Sequence, residues 1–260
     1  ASAELVASRR PQDTRLVAEA DSSLIEALGF NWEAAPFQSL AVRQAVGYAI
    51  DRDAAATELY GGVGVRGAPQ SLLGRYYGPL TDPEAFARYR RSTSKVDELM
   101  TGDGWARGAD GGWAKDGARA EFSILVTDDP GRQQLARNLV AQLLEAGFAA
   151  RVDARSAVDV FTTLLPTHQF QAAIWIDSWP MPEPLLCAAY CADPGELDVY
   201  WTNTSLGEEG DATLGSVESL LDPVERSTAA KTAMNLLARN VAALPLVNDA
   251  RIPFFGPFTG

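Results

Sequence analysis

The sequence predicts an α/β domain. Apolar runs of β type alternate with segments of helical periodicity, and the middle of the chain carries a strand-helix-strand-helix-strand series over 120–176. Its clearest helix spans Pro130 to Ala146, with Leu135, Leu139, Leu143 and Leu144 on one face and Gly147 as the stop. Right-handed crossovers between such strands make the sheet at least partly parallel.

The elements follow in order. Strands are expected at Thr14–Ala18 and Leu24–Phe30. After the Pro36-Phe37 step, Ser39 caps a helix whose apolar positions Val42, Ala45, Val46, Ala49 and Ile50 keep the helical spacing. Asp51 caps a second helix that Gly61 and Gly62 end after Tyr60. Residues 61–83 hold six glycines and three prolines and read as a long surface excursion. A short helix runs from Ser94 to Met100, and GDGWARGADGGW suggests a hairpin. Strands at Ala120–Thr127, Phe148–Ala154 and Phe170–Ile176 enclose the 130–146 helix and a second at Val158–Leu165. Helices at 182–190, 211–221 and 223–242 and a strand at Leu244–Asn248 complete the chain.

Composition narrows the function. With 47% hydrophobic residues in 260, the chain can bury one large core or two modest ones. The net charge is −12 and the basic residues are scattered, so no polyanion-binding face is expected and nucleic acid is a poor partner. The longest apolar runs, such as AAIWI at 172–176, fall far short of the roughly 20 residues that span a bilayer. Cys187 and Cys191 stand four apart; a disulfide there requires a broken helix, and buried thiols are the alternative. No metal or cofactor site is expected, because the only histidine, His168, lies far from both cysteines.

Most apparent motifs dissolve in context. GVGVRG at 62–67 has the glycine spacing of a dinucleotide loop, yet it follows a helix and runs into Ala68-Pro69. No G-x-S-x-G elbow accompanies His168, and the acidic pairs Asp128-Asp129 and Glu208-Glu209 lie in turn-like sequence. The stretch AIWIDSWPMPEP is different. A buried strand ends at Ile176 and meets Asp177, Ser178, Trp179 and three prolines, which would hold a loop in fixed shape at the end of a strand where α/β proteins form ligand crevices. Trp175 and Trp179 offer apolar walls and Asp177 a charged anchor, with Ser178 and Glu183 as further contacts. The alternative is that both tryptophans are core and Asp177 caps a turn.

One stretch carries a family resemblance. FNWEAAPFQSLAVRQAVGYAIDR, residues 30–52, is similar to the motif of family 5 extracellular solute-binding proteins, the peptide-binding components of ABC importers. The matching residues are Phe30, Asn31, Pro36, Phe37, Val42, Arg43, Gln44, Ala45, Ala49, Ile50, Asp51 and Arg52. KVDELMTGDGW, ARNLVAQLLEAGFAARV and LPLVNDARIPFFGPFTG continue the likeness in order. The resemblance implies a lobe of the periplasmic-binding-protein type II kind, a mixed sheet flanked by helices, spanning 24–243. Residues 1–23 and the return strand 244–260 would lead to a second lobe. Peptide-binding relatives carry an aspartate in a Trp-x-x-Asp setting that meets the peptide amine; here that place falls on Pro180, with Asp177 the nearest carboxylate.

The function so implied is non-catalytic: lobe closure around a peptide or related small solute, which is passed to the importer's membrane subunits. The full protein is expected to be exported, at the cell surface, and attached to the membrane only through a lipid anchor outside this chain. High Ala and Arg with few Lys suggests an actinobacterial source. Two rival readings remain: the ligand-sensing domain of a transcriptional regulator, and a hydrolase pairing Asp177 with Glu183.

Overall fold

The computed structural model describes residues 15–16, 24–60, 67–178, 186–192, 202–248 and 254–255. Strand β1 (Arg15–Leu16) precedes β2 (Ile25–Phe30), whose six residues are all buried, as a strand covered on both faces requires. The Ala35–Pro36 peptide is cis. Helix α1 (Leu40–Ala49) starts where Ser39 accepts from the Val42 N–H, and Val42, Ala45, Val46 and Ala49 turn into the core. Asp51 Oδ1 likewise accepts from the Ala54 N–H, 2.9 Å, to open α2 (Arg52–Tyr60).

The 67–83 segment is not mere loop: a 3₁₀ helix, Arg75–Leu80, forms within it and is broken at Gly78, which takes φ 52°. Helix α3 (Thr93–Gly102) begins one residue before the Ser94 start expected, because Ser92 caps it while its own N–H bonds the Tyr48 carbonyl of α1 at 2.8 Å. The expected hairpin is a three-stranded antiparallel sheet, β3 (Ala106–Arg107), β4 (Trp113–Lys115) and β5 (Ala118–Arg119). Asp116 and Gly117, at φ 51° and 81°, make its second turn.

Strand β6 (Glu121–Thr127) leads through α4 (Pro130–Glu145), capped by Asp129, to β7 (Ala149–Arg155); Gly147 ends the helix at φ 91°. A helical passage returns over the sheet as α5 (Ala157–Asp159) and a π-helical turn (Val160–Leu164) in place of a regular helix. It enters β8 (Ala172–Ser178). Helix α6 (Leu186–Tyr190) is what the structure describes of the helix expected at 182–190. There Cys187 and Cys191 form a disulfide, possible because the helix stops at Tyr190 and Cys191 lies beyond it. Then come α7 (Gly207–Ser219), α8 (Pro223–Asn240), β9 (Ala243–Asn248) and β10 (Phe254–Phe255), which pairs with β1.

The main sheet has the order β7-β6-β8-β2-β9 and is mixed: β6 runs parallel to β7 and β8, whereas β2 is antiparallel to β8 and β9. Side chains alternate between two cores. Phe122, Ile124, Ala172 and Ile174 join the larger one, where Phe30, Phe37, Phe122 and Phe148 stack with successive ring centroids 4.7, 4.8 and 6.1 Å apart. Leu125, Ala173 and Trp175 face the smaller one, covered by Val160 and Leu165. Among the described residues no helix is long and apolar enough to cross a membrane.

Candidate functional site

The parallel strands β6, β7 and β8 end at one edge of the sheet, at Thr127, Arg155 and Ser178. Helix α4 begins at the same edge, and β9 ends there at Asn248 beside Ile25 of β2. Such an edge is where open α/β sheets form ligand crevices. Here the pairing itself is interrupted. Between β2 and β8 the register passes from Glu26↔Ile176 to Ile25↔Ser178, so Asp177 is an extra residue. Between β2 and β9 it passes from Ala27↔Pro245 to Glu26↔Val247, which leaves Leu246 unmatched. Two bulges therefore flank β2 at Glu26, a device that bends strands and re-aims side chains.

Glu26 is 8% exposed, and Arg132, from the first turn of α4, reaches its carboxylate with Nη2 at 2.9 Å and Nε at 3.0 and 3.1 Å. Arg132 also donates to the Thr127 hydroxyl at 3.3 Å. This pair ties the helix to β2, and its charge-assisted bonds offset the removal of both groups from water.

Of the residues expected to touch ligand, the structure unites three on β8. Trp175 is 5% exposed, packed edge-on against Phe170 at 6.2 Å and laid over Gly29 of β2, so it supports the site from the core and is not an open wall. Asp177 and Ser178 are the last two residues of β8, at the bulge. Trp179 and Glu183 lie outside the described residues. Among the described residues no group of three or more His, Cys, Asp and Glu could hold a metal ion.

Sequence reasoning missed a cavity of about 320 Å³ at this edge, between the ends of β2 and β9 and the 67–83 segment. Ile25 and Asn248 line it on the sheet side, Gln70, Arg75 and Asp82 on the other. The polar residues among the glycines and prolines of 67–83 were the available signal. Arg52, at the end of the quoted motif, holds that wall in place. Its Nη1 donates to the carbonyls of Pro69 and Pro245 at 2.9 and 2.8 Å, and its Nη2 to Gln70 Oε1 and the Phe86 carbonyl at 3.1 and 2.9 Å. Burial pushes its guanidinium down to about 10, with Asp53 and Tyr89 opposing, so it stays charged at neutral pH.

Comparison with known proteins agrees with this architecture. Residues 2–195 match the family described as "Bacterial extracellular solute-binding proteins, family 5 Middle". An 89-residue stretch, 34% of this chain, is 35% identical to a candidate ABC transporter peptide-binding protein of Brucella ovis, of which it covers 16%. The oligopeptide-binding protein AppA of Bacillus subtilis, solved with a nonapeptide, superposes with a TM-score of 0.78 at 15% identity, covering 95% of this chain and 48% of AppA. NikA of Brucella suis, solved with Fe(III)-EDTA, gives 0.79 at 19% identity, covering 96% and 49%. The chain thus spans about half the length of these solved relatives. It belongs to family 5 of the bacterial extracellular solute-binding proteins.

Proposed function

We propose that the chain forms one lobe of a solute-binding protein that carries a peptide or related small solute to the membrane subunits of an ABC importer, without catalysis. The observation that supports this most is the meeting, at one sheet edge, of three parallel strand ends, two bulges around Glu26 and a cavity of about 320 Å³, within the range of about 300–1,000 Å³ usual for small-ligand sites. Asp177 and Ser178 are the polar contacts at that edge and Trp175 their packed support, with Trp179 and Glu183 as further contacts. Residues 24–243 make the lobe, and 1–23 and 244–260 lead toward a second lobe that closes over the ligand. The full protein is exported and lipid-anchored at the cell surface.

Mass spectrometry of solutes released from the purified full-length protein, followed by thermal-shift titration against a peptide library, tests the reading. A recovered peptide and a rise in melting temperature are expected. Repeated recovery of no solute together with no shift from any peptide would overturn it.

A further inference from the structure

The chain has three Asp-Gly steps, Asp103-Gly104, Asp110-Gly111 and Asp116-Gly117, all in or beside the β3-β4-β5 sheet. An aspartate followed by glycine is open to attack by the next main-chain nitrogen on its own side chain, because no Cβ on the following residue obstructs the approach. Two conditions govern that reaction. The carboxyl group must be free to turn toward the main chain and take up a proton, and the glycine N–H must not be held by another acceptor.

The first two steps meet neither condition. Asp103 Oδ2 accepts from the Ser39 hydroxyl at 2.9 Å, Trp105 Nε1 at 3.1 Å and Lys115 Nζ at 3.4 Å, and the Gly104 N–H bonds the Thr101 carbonyl at 3.0 Å. Asp110 accepts from the Gly112 N–H at 3.0 Å and from Arg119 at 2.7 Å, bonds that hold its carboxyl below the usual carboxylate range. The Gly111 N–H bonds the Gly108 carbonyl at 2.9 Å. Asp116-Gly117 differs in both respects. It is the exposed two-residue turn between β4 and β5, and among the described residues no hydrogen bond or ion pair engages the Asp116 carboxylate or the Gly117 N–H. A Cβ placed on Gly117 would meet no neighbour, so the step is open to water.

We propose that the fold singles out Asp116-Gly117 as a site of covalent modification, where intramolecular succinimide formation converts Asp116 to its β-linked isomer. The Gly117 nitrogen bonds Asp116 Cγ as the bond from Cγ to its hydroxyl oxygen breaks, and that hydroxyl leaves with the amide proton as one water. A second water then adds to the main-chain carbonyl carbon of Asp116 and breaks its bond to the Gly117 nitrogen, so the chain continues through Cγ and the mass is restored. The main chain gains a methylene in a turn whose two residues set the pairing Lys115↔Ala118 and Ala114↔Arg119. The register that lets Arg119 meet Asp110 and Lys115 meet Asp103 is thereby lost.

Storage of the full protein at physiological temperature and neutral pH tests it, followed by unfolding and digestion with a protease that cuts before aspartate but not before its β-linked isomer. Uncut Lys115-Asp116 bonds of unchanged mass are expected to accumulate about tenfold faster than uncut bonds before Asp103 or Asp110. In urea, where all three steps lose their folded partners, the rates are expected to converge. Amide exchange across 113–119 is expected to quicken on storage in wild type and to stay constant in Asp116→Ser, which has no carboxyl group to react. Should that variant fail to fold, the contrast between folded and urea-held wild type decides. Equal rates at the three steps in the folded protein, faster change at Asp103 or Asp110, or no uncut bond at any of them overturns the proposal. So does a preference for Asp116 that persists undiminished in urea, because the fold would then play no part in selecting it.

Discussion

Gly29 and Tyr89 show how single positions govern this fold. A methyl group at Gly29 would overlap the Trp175 indole, which lies against the β2 backbone. Gly29→Ala should therefore destabilise the protein by about 1–3 kcal/mol, measured by urea denaturation, and Trp175→Leu in the same chain should recover part of that loss. Tyr89 lies against Gly47 of α1 and donates to the Ala238 carbonyl near the end of α8 at 2.7 Å. Burial raises its phenol above the ordinary value of 10, so the folded state keeps a proton that the unfolded chain releases. Its contribution is complete below pH 10 and is lost as pH climbs through the raised value. Tyr89→Phe should cost about 1 kcal/mol at pH 7, and the gap to wild type should narrow above pH 10 in paired denaturation curves. Arg43 and Arg52 have the opposite sign. Burial lowers each to about 10, so their burial cost is constant through neutral pH and relieved only as pH climbs above about 10.

At the scale of elements, Arg52 joins α2 to the 67–86 segment and β9 through four acceptors, three on the first and one on the second. Arg52→Met should leave buried carbonyls without donors and cost about 3 kcal/mol or more, with amide exchange accelerated first across 67–86. The caps at Ser39 and Asp51 and the stop at Gly147 were legible because capping chemistry is local: a short side chain or a glycine at the right offset suffices. The end of α8 was not. It stops at Val241, a β-branched residue at φ 51° that is fully buried, so core packing outweighs a backbone strain no local rule anticipates. The π-helical turn at Val160–Leu164 is equally invisible to a periodicity that counts only 3.6 residues per turn.

For the whole molecule, the consequence of the proposed role is linkage between ligand and stability. A solute that binds only the folded protein should add about 2.7 kcal/mol at one hundred times its Kd, so melting temperature should rise with ligand concentration and keep rising logarithmically. A melting point that stays constant as a bound solute is raised would contradict specific binding to the folded state.

Residue order alone determined the helical faces, the parallel core of the sheet and the family, because each depends on spacing along the chain: leucines on one helix face, glycine after a helix, and the Phe-Asn, Pro-Phe and Asp-Arg steps of residues 30–52. It also made the end of β8 a candidate ligand edge. Only the tertiary structure decided that Trp175 is buried support, that bulges flank Glu26 on both sides, and that the 67–83 segment folds back to wall a cavity with Asp82 in it. Each of those depends on pairing register and on contacts between residues from about fifty to more than two hundred positions apart, which no local spacing encodes.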